Sequence, residues 1–136
     1  MTTARRFAYR LGPRSGPVLR LFGVRGPENA FVDVSDSEII ARFGRFEART
    51  PIANISSWRI EGPWRWMMAI GVRMSVRHGD LTFGGSHQGG VRLDFHTPIT
   101  VGPLHPQALY VTVEDLDGLA ADLVARGVGG EDARAT

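Results

Sequence analysis

From Leu109 to Gly127 the chain reads LYVTVEDLDGLAADLVARG, and the hydrophobic period changes within this one stretch. Leu109, Val111 and Val113 repeat every second residue, as a strand with one buried face requires. Leu116, Leu119, Ala120, Leu123 and Val124 then follow the three-and-four spacing of an amphipathic helix. Asp115 is placed to cap that helix, Asp117 suits the positive end of its dipole and Arg126 the negative end, and Gly127 offers the left-handed conformation that ends it. The spacing predicts a helix over 115–126 with Leu116, Leu119, Leu123 and Val124 buried. No other segment carries a comparable helical pattern, so the expected architecture is strand-rich and closed by one C-terminal helix.

Period-two alternation recurs upstream. Phe7, Tyr9 and Leu11 alternate with Arg6, Ala8 and Arg10 until GPRSGP breaks the pattern, and Val18 to Val24 is a second strand candidate before the GPEN turn. Ala30 to Val34 and Glu38 to Phe43 predict a hairpin joined near Ser35, Asp36 and Ser37. Phe46 to Thr50 leads into Pro51, which belongs at an edge or bend because it cannot donate to a ladder. Ile55 to Glu61 puts Trp58 and Ile60 on one face and Arg59 and Glu61 on the other. Val72, Met74 and Val76, then Leu81 and Phe83, then Val91, Leu93 and Phe95 continue the alternation. Short turns between successive strands favour an antiparallel meander. The expected fold class is mainly β (α+β): a curved antiparallel sheet or partly closed barrel, with the helix plugging an open end or covering an edge.

A chain of 136 residues, 43% hydrophobic and 22% charged, suits one soluble domain with its own core. Within a single domain over 1–136, residues 1–29 form an Arg-rich arm of strands, 30–127 the core and 128–136 a flexible tail of little apolar content. The most apolar run, Trp66 to Ile70, falls far short of the roughly 20 residues of a membrane-spanning helix. No apolar signal segment follows the arginines of the N-terminus, so a cytoplasmic protein without integral membrane association is expected. The absence of cysteine excludes disulfides and thiolate chemistry.

Every basic residue is an arginine, yet the formal net charge is only +2. Residues 1–26 hold six arginines and no acid, a local charge of +6 that leaves −4 on the remainder. The expectation is an arm that docks on its own acidic domain or on a second copy. No base-stacking platform accompanies these arginines, and nucleic acid is not an expected partner.

His78, His87, His96 and His105 are spaced by nine residues, which invites a metal reading, but no local pair such as H-x-x-x-H stands with them. No metal or other cofactor is expected. GGSHQGG at 84–90 lacks the lysine and the following helix of a phosphate loop and reads as a hairpin loop. No G-x-S-x-G elbow or ordered triad occurs, so an enzyme is not expected. The densest group of binding-capable side chains is Trp58, Arg59, Trp64, Arg65, Trp66, Met67 and Met68. Trp and Arg are enriched in interaction hot spots and Met adapts to irregular partners. A domain this small also needs its largest apolar residues for its own core, so plugging a barrel mouth is the competing use of the same residues.

The order SEIIARFGRFEARTPIANISSWRI, GPWRW, IGVR and VTVEDLDGLAADL resembles bacterial pleckstrin-homology-like domains, over about Asp33 to Arg126. The chain also resembles a set of actinobacterial proteins bearing the phrases LFGV, TPIANI, GLTF, GV-x-L-x-F and LYVTVEDLDGLA, with Asp80 here standing before LTF. The resemblance implies a seven-stranded curved sheet closed by a C-terminal helix. It also implies a domain that binds peptides, lipids or copies of itself and brings no catalytic residues. The expected function is a noncatalytic binding or assembly module with a protein partner, including its own copies. The alternative is a small apolar-ligand-binding β-barrel with Trp58, Trp64 and Trp66 lining a pocket.

Overall fold

A computed structural model describes residues 4–9, 20, 23–24, 26, 28–62, 71–75, 79–84 and 89–133. The first sheet is a four-stranded antiparallel meander of β1 (Arg5–Ala8), β2 (Ala30–Val34), β3 (Glu38–Phe43) and β4 (Phe46–Pro51). The β2–β3 turn is closed by the Ser35 amide on the Glu38 carbonyl at 2.9 Å and by the Ser35 hydroxyl, which accepts from the Glu38 amide at 3.2 Å. Phe43 pairs with Phe46 across a two-residue loop in which Gly44 has φ 63°, the positive angle that a tight hairpin turn demands. Pro51 ends β4, a 3₁₀ turn at Ile52–Asn54 bends the chain, and β5 (Ile55–Glu61) begins the second sheet. That sheet adds β6 (Gly71–Ser75), β7 (Asp80–Gly84), β8 (Gly90–Phe95), β9 (Ala108–Val111) and β10 (Gly130–Asp132).

The second sheet is not the expected meander. Its order is β10-β5-β8-β9-β7-β6, with β7 parallel to β9 and β10 parallel to β5. Ala108, Leu109 and Val111 of β9 are all buried, and the strand takes a central slot with a partner on each edge. The Phe95 amide on the Gln107 carbonyl (3.0 Å) and the Gln107 amide on the Gly79 carbonyl (2.6 Å) stitch its entry between the neighbours. β7 and β8 are therefore not paired as a hairpin, since β9 lies between them, and residues 85–88 of the expected hairpin loop lie outside the described residues.

The two sheets face each other over one core. Phe43 of β3 stacks on Phe83 of β7 with ring centroids 5.6 Å apart, and Tyr9 meets Phe43 edge-on at 4.9 Å. Tyr9 also forms an antiparallel bridge with Val113, and the Glu114 amide donates to the Ala8 carbonyl at 2.8 Å, so β1 adjoins the segment after β9. Among the described residues neither sheet closes on itself.

Tyr9 contributes to that core at a cost. Its hydroxyl is buried with no hydrogen-bond partner among the described residues, and burial holds its pKa well above the ordinary 10.0. A raised tyrosine value means that the fold favours the neutral phenol. This contribution is complete below pH 10.0 and is lost as pH rises through the folded value. Tyr9→Phe is expected to raise stability by about 1 kcal/mol, because an unsatisfied hydroxyl leaves the interior. The same variant should unfold at a higher pH in an alkaline titration followed by circular dichroism.

The expected helix is present as α1 (Leu116–Ala125), packed on β5 and β8. Asp115 caps it through the Gly118 amide at 2.8 Å. At the other end Gly127, with φ 92°, allows the Gly127 amide to reach the Val124 carbonyl (3.0 Å) and the Val128 amide the Leu123 carbonyl (2.9 Å). Leu119, Ala120 and Leu123 are buried and Leu116 is half-buried. Val124 departs from expectation: it is 55% exposed. The buried stripe instead includes Asp122, whose carboxylate is made tolerable inside by the Arg126 guanidinium at 2.9 Å.

Of the expected tail over 128–136, residues 128–133 run beside the second sheet and 134–136 lie outside the described residues. Val128 is buried, and β10 lies along the edge of β5, where main-chain bonds alone are enough to hold a sequence poor in apolar side chains. The Trp58 amide donates to the Gly129 carbonyl at 3.2 Å and the Ala133 amide to the Ile60 carbonyl at 2.9 Å. Arg6 makes a two-pronged contact with Asp33 at 2.7 and 2.8 Å, and Arg5 lies 3.8 Å from Asp122. Arg10, Arg14 and Arg25 lie outside the described residues.

Candidate functional site

Strand alternation sends Trp58 inward and Arg59 outward from β5. Trp58 is 9% exposed, and its indole nitrogen donates to the Val128 carbonyl at 3.0 Å. Gly130 lies so close that a Cβ there would overlap the Trp58 carbonyl and ring. Trp58 is thus the floor on which the chain's last segment rests, the core use of this residue type. Arg59 faces solvent between Glu61 at 3.6 Å and Glu131 at 3.3 Å, pairs exposed enough to add little stability. An open hollow of about 380 Å³ is lined by Ser57, Trp58, Arg59, Asp94, Gly130 and Glu131, so its charges are of both signs. Trp64, Arg65, Trp66, Met67 and Met68 lie outside the described residues.

The outer face of the second sheet carries a cross-strand polar row. Register places Arg92 of β8 opposite Tyr110 of β9. The Arg92 guanidinium reaches Asp80 at 2.7 Å, Asp94 at 2.9 Å and the Tyr110 oxygen at 3.0 Å, and the Tyr110 hydroxyl donates to Glu61 at 2.9 Å. Partial burial pulls the Arg92 pKa down, but its bonds to Tyr110 and Asp94 outweigh that and leave it above the ordinary arginine value. Burial raises the Tyr110 pKa, helped by Glu61 and opposed by Arg92. The row binds β5, β7, β8 and β9 together through groups already engaged with one another, which makes it a clasp and a poor source of a free base or nucleophile.

The outer face of the first sheet is different in kind. Ala8, Phe31, Arg42 and Glu47 lie in one cross-strand row, and Arg6, Asp33, Ile40 and Arg49 in the next. Arg6 stacks over the Phe31 ring at 3.9 Å. Phe31 and Ile40 are half-buried, while Arg6, Arg42, Glu47 and Arg49 are exposed. Near one end of this face, a hollow of about 300 Å³ is lined by Arg20, Gly23, Asn29, Arg42, Gly44 and Arg45. Sequence reasoning passed over this group. The only signal was RFGR at 42–45, two arginines flanking a turn glycine, and nothing local brings Arg20 to them.

His96 and His105 are exposed, with His105 Nδ1 3.4 Å from the Thr100 hydroxyl, and His78 and His87 lie outside the described residues. Among the described residues no three His, Asp or Glu side chains gather as metal ligands. No described helix is long and apolar enough to cross a membrane. Compared with family models, curated proteins and solved structures, the chain matches none.

Proposed function

We propose that the protein is a noncatalytic β-domain of pleckstrin-homology-like type that acts as a protein-binding module, with a second copy of itself as the partner. A four-stranded meander, a second sheet facing it and a C-terminal helix support the family reading. The parallel pairs of β7 with β9 and β5 with β10 depart from a simple meander.

The observation that carries the partner is the outer face of β1–β4, where half-buried Phe31 and Ile40 stand among charges of both signs on a two-sided sheet. A face with both charge signs and a central apolar pair is of the kind that pairs with a copy of itself, acids meeting arginines around closed apolar side chains. The Trp64 to Met68 segment remains a second surface by its composition alone. An apolar ligand inside a barrel is less well supported. The interior is occupied by Phe43, Phe83 and Tyr9, and the two hollows described above are open and lined by charged residues.

Light scattering is expected to show the full chain above monomer mass at micromolar concentration, and Ile40→Glu is expected to return it to a monomer with its circular dichroism retained. Raised salt should weaken the assembly less than the substitution does, because apolar burial is not screened. A monomer throughout the micromolar range would remove self-assembly and leave the face to a different protein.

A further inference from the structure

The side chains of nine arginines are described: Arg5, Arg6, Arg20, Arg42, Arg45, Arg49, Arg59, Arg92 and Arg126. Six are held by acids, Arg5 and Arg126 by Asp122, Arg6 by Asp33, Arg49 by Glu38, Arg59 by Glu61 and Glu131, and Arg92 by Asp80 and Asp94. The other three are Arg20, Arg42 and Arg45, the same three that surround the 300 Å³ hollow. All fourteen acids of the chain fall within the described residues, and none forms an ion pair with these three. Glu47 stands across the ladder from Arg42 without pairing to it.

The hollow is built by its backbone as well as by its charges. Asn29 ties two turns together: its side-chain amide donates to the Gly23 carbonyl at 2.6 Å, and its own carbonyl accepts from the Gly44 amide at 2.7 Å. Gly23, at φ 86°, lets the Arg45 stem lie directly on the turn, since a Cβ there would press on Arg45 Cγ at 2.7 Å. Three cations that line one concavity repel one another, and each carries forked N–H donors. A compact multi-oxygen anion relieves the repulsion and satisfies those forks.

We propose that this hollow is an anion site that takes a phosphate-type dianion, as the free ion or as a phosphomonoester of a small molecule. The hollow adjoins the proposed assembly face and shares Arg42 with it, so binding is read at a protein concentration where light scattering shows one oligomeric state for the wild type and the variants alike. Titration calorimetry on the full chain at low ionic strength uses inorganic phosphate and, separately, phenyl phosphate. Saturable binding is expected, together with a rise in unfolding temperature that chloride at matched ionic strength does not produce. Arg42→Gln with Arg45→Gln should weaken binding at least about tenfold, as loss of charged hydrogen bonds implies. Arg49→Gln, whose guanidinium is already taken by Glu38, should leave binding unchanged. Tighter binding of phenyl phosphate assigns the site to esters and equal binding assigns it to the free ion, and either result upholds the site. No saturable binding of either probe, no thermal protection by phosphate, or binding undiminished in the folded double variant would overturn the proposal.

Discussion

Leu119→Ala is expected to lower the free energy of unfolding by about 2–5 kcal/mol, the range for truncating a large side chain in a closed core. Leu119 is 0% exposed and lies on the face that α1 turns toward the core, so its removal leaves a void that neighbouring strands cannot fill without moving. Denaturant unfolding should show a lower midpoint with an unchanged slope, since the surface exposed on unfolding stays the same. Val124→Ala, at a site 55% exposed, is the matched control and should change stability by less than about 0.5 kcal/mol. Equal effects at the two sites would show that the helix does not dock on the face described.

Arg126→Met is expected to cost about 3–5 kcal/mol, because it strands the Asp122 carboxylate inside without its counter-charge. The Arg126 side chain is 3% exposed and that of Asp122 8%, and the guanidinium also reaches Asp36 in the β2–β3 turn at 2.7 Å. One residue thus fastens the helix end to the first sheet. Its pKa is raised, chiefly by the hydrogen bond to Asp122 and against the pull of burial, so it stays charged over the whole working range of pH. The double change Arg126→Met with Asp122→Leu should recover most of the loss, because it removes both buried charges together. No recovery in the double variant would place the effect in the Asp36 contact or in the helix end itself.

These two sites also mark where sequence reading succeeds and where it stops. Leu119 and Leu123 were legible as core because helical periodicity is local: a few consecutive residues reveal which face is apolar. Asp122 was not legible. A carboxylate on an inward face looks like a break in the stripe: its i,i+4 partner Arg126 is close in sequence, but Arg5 beside it and Asp36 on the Arg126 guanidinium arrive only in the folded chain.

The candidate sites divide in the same way. Trp58 and Arg59 stand out by residue type, yet strand alternation turns one into the core and the other to solvent. Val128 and Gly130, distant in sequence, then close over Trp58, a contact no local pattern announces. The Arg20, Arg42 and Arg45 group was invisible because Arg20 is far in sequence from the turn that carries Arg42 and Arg45, and among the described residues Asn29 bonds tie the two segments together.

By itself the sequence determined the strand and helix periods, the β2–β3 turn, the Asp115 cap and the Gly127 stop. Each of these depends on interactions between residues at most a few positions apart. Only the tertiary structure decided that β9 sits between β8 and β7, that 130–132 adds a parallel strand to β5, and which arginines find an acid from a distant segment. Strand partners are chosen by main-chain hydrogen bonds that any residue but proline donates, and charge partners by proximity across sheets, so neither leaves a mark in the local pattern of side chains.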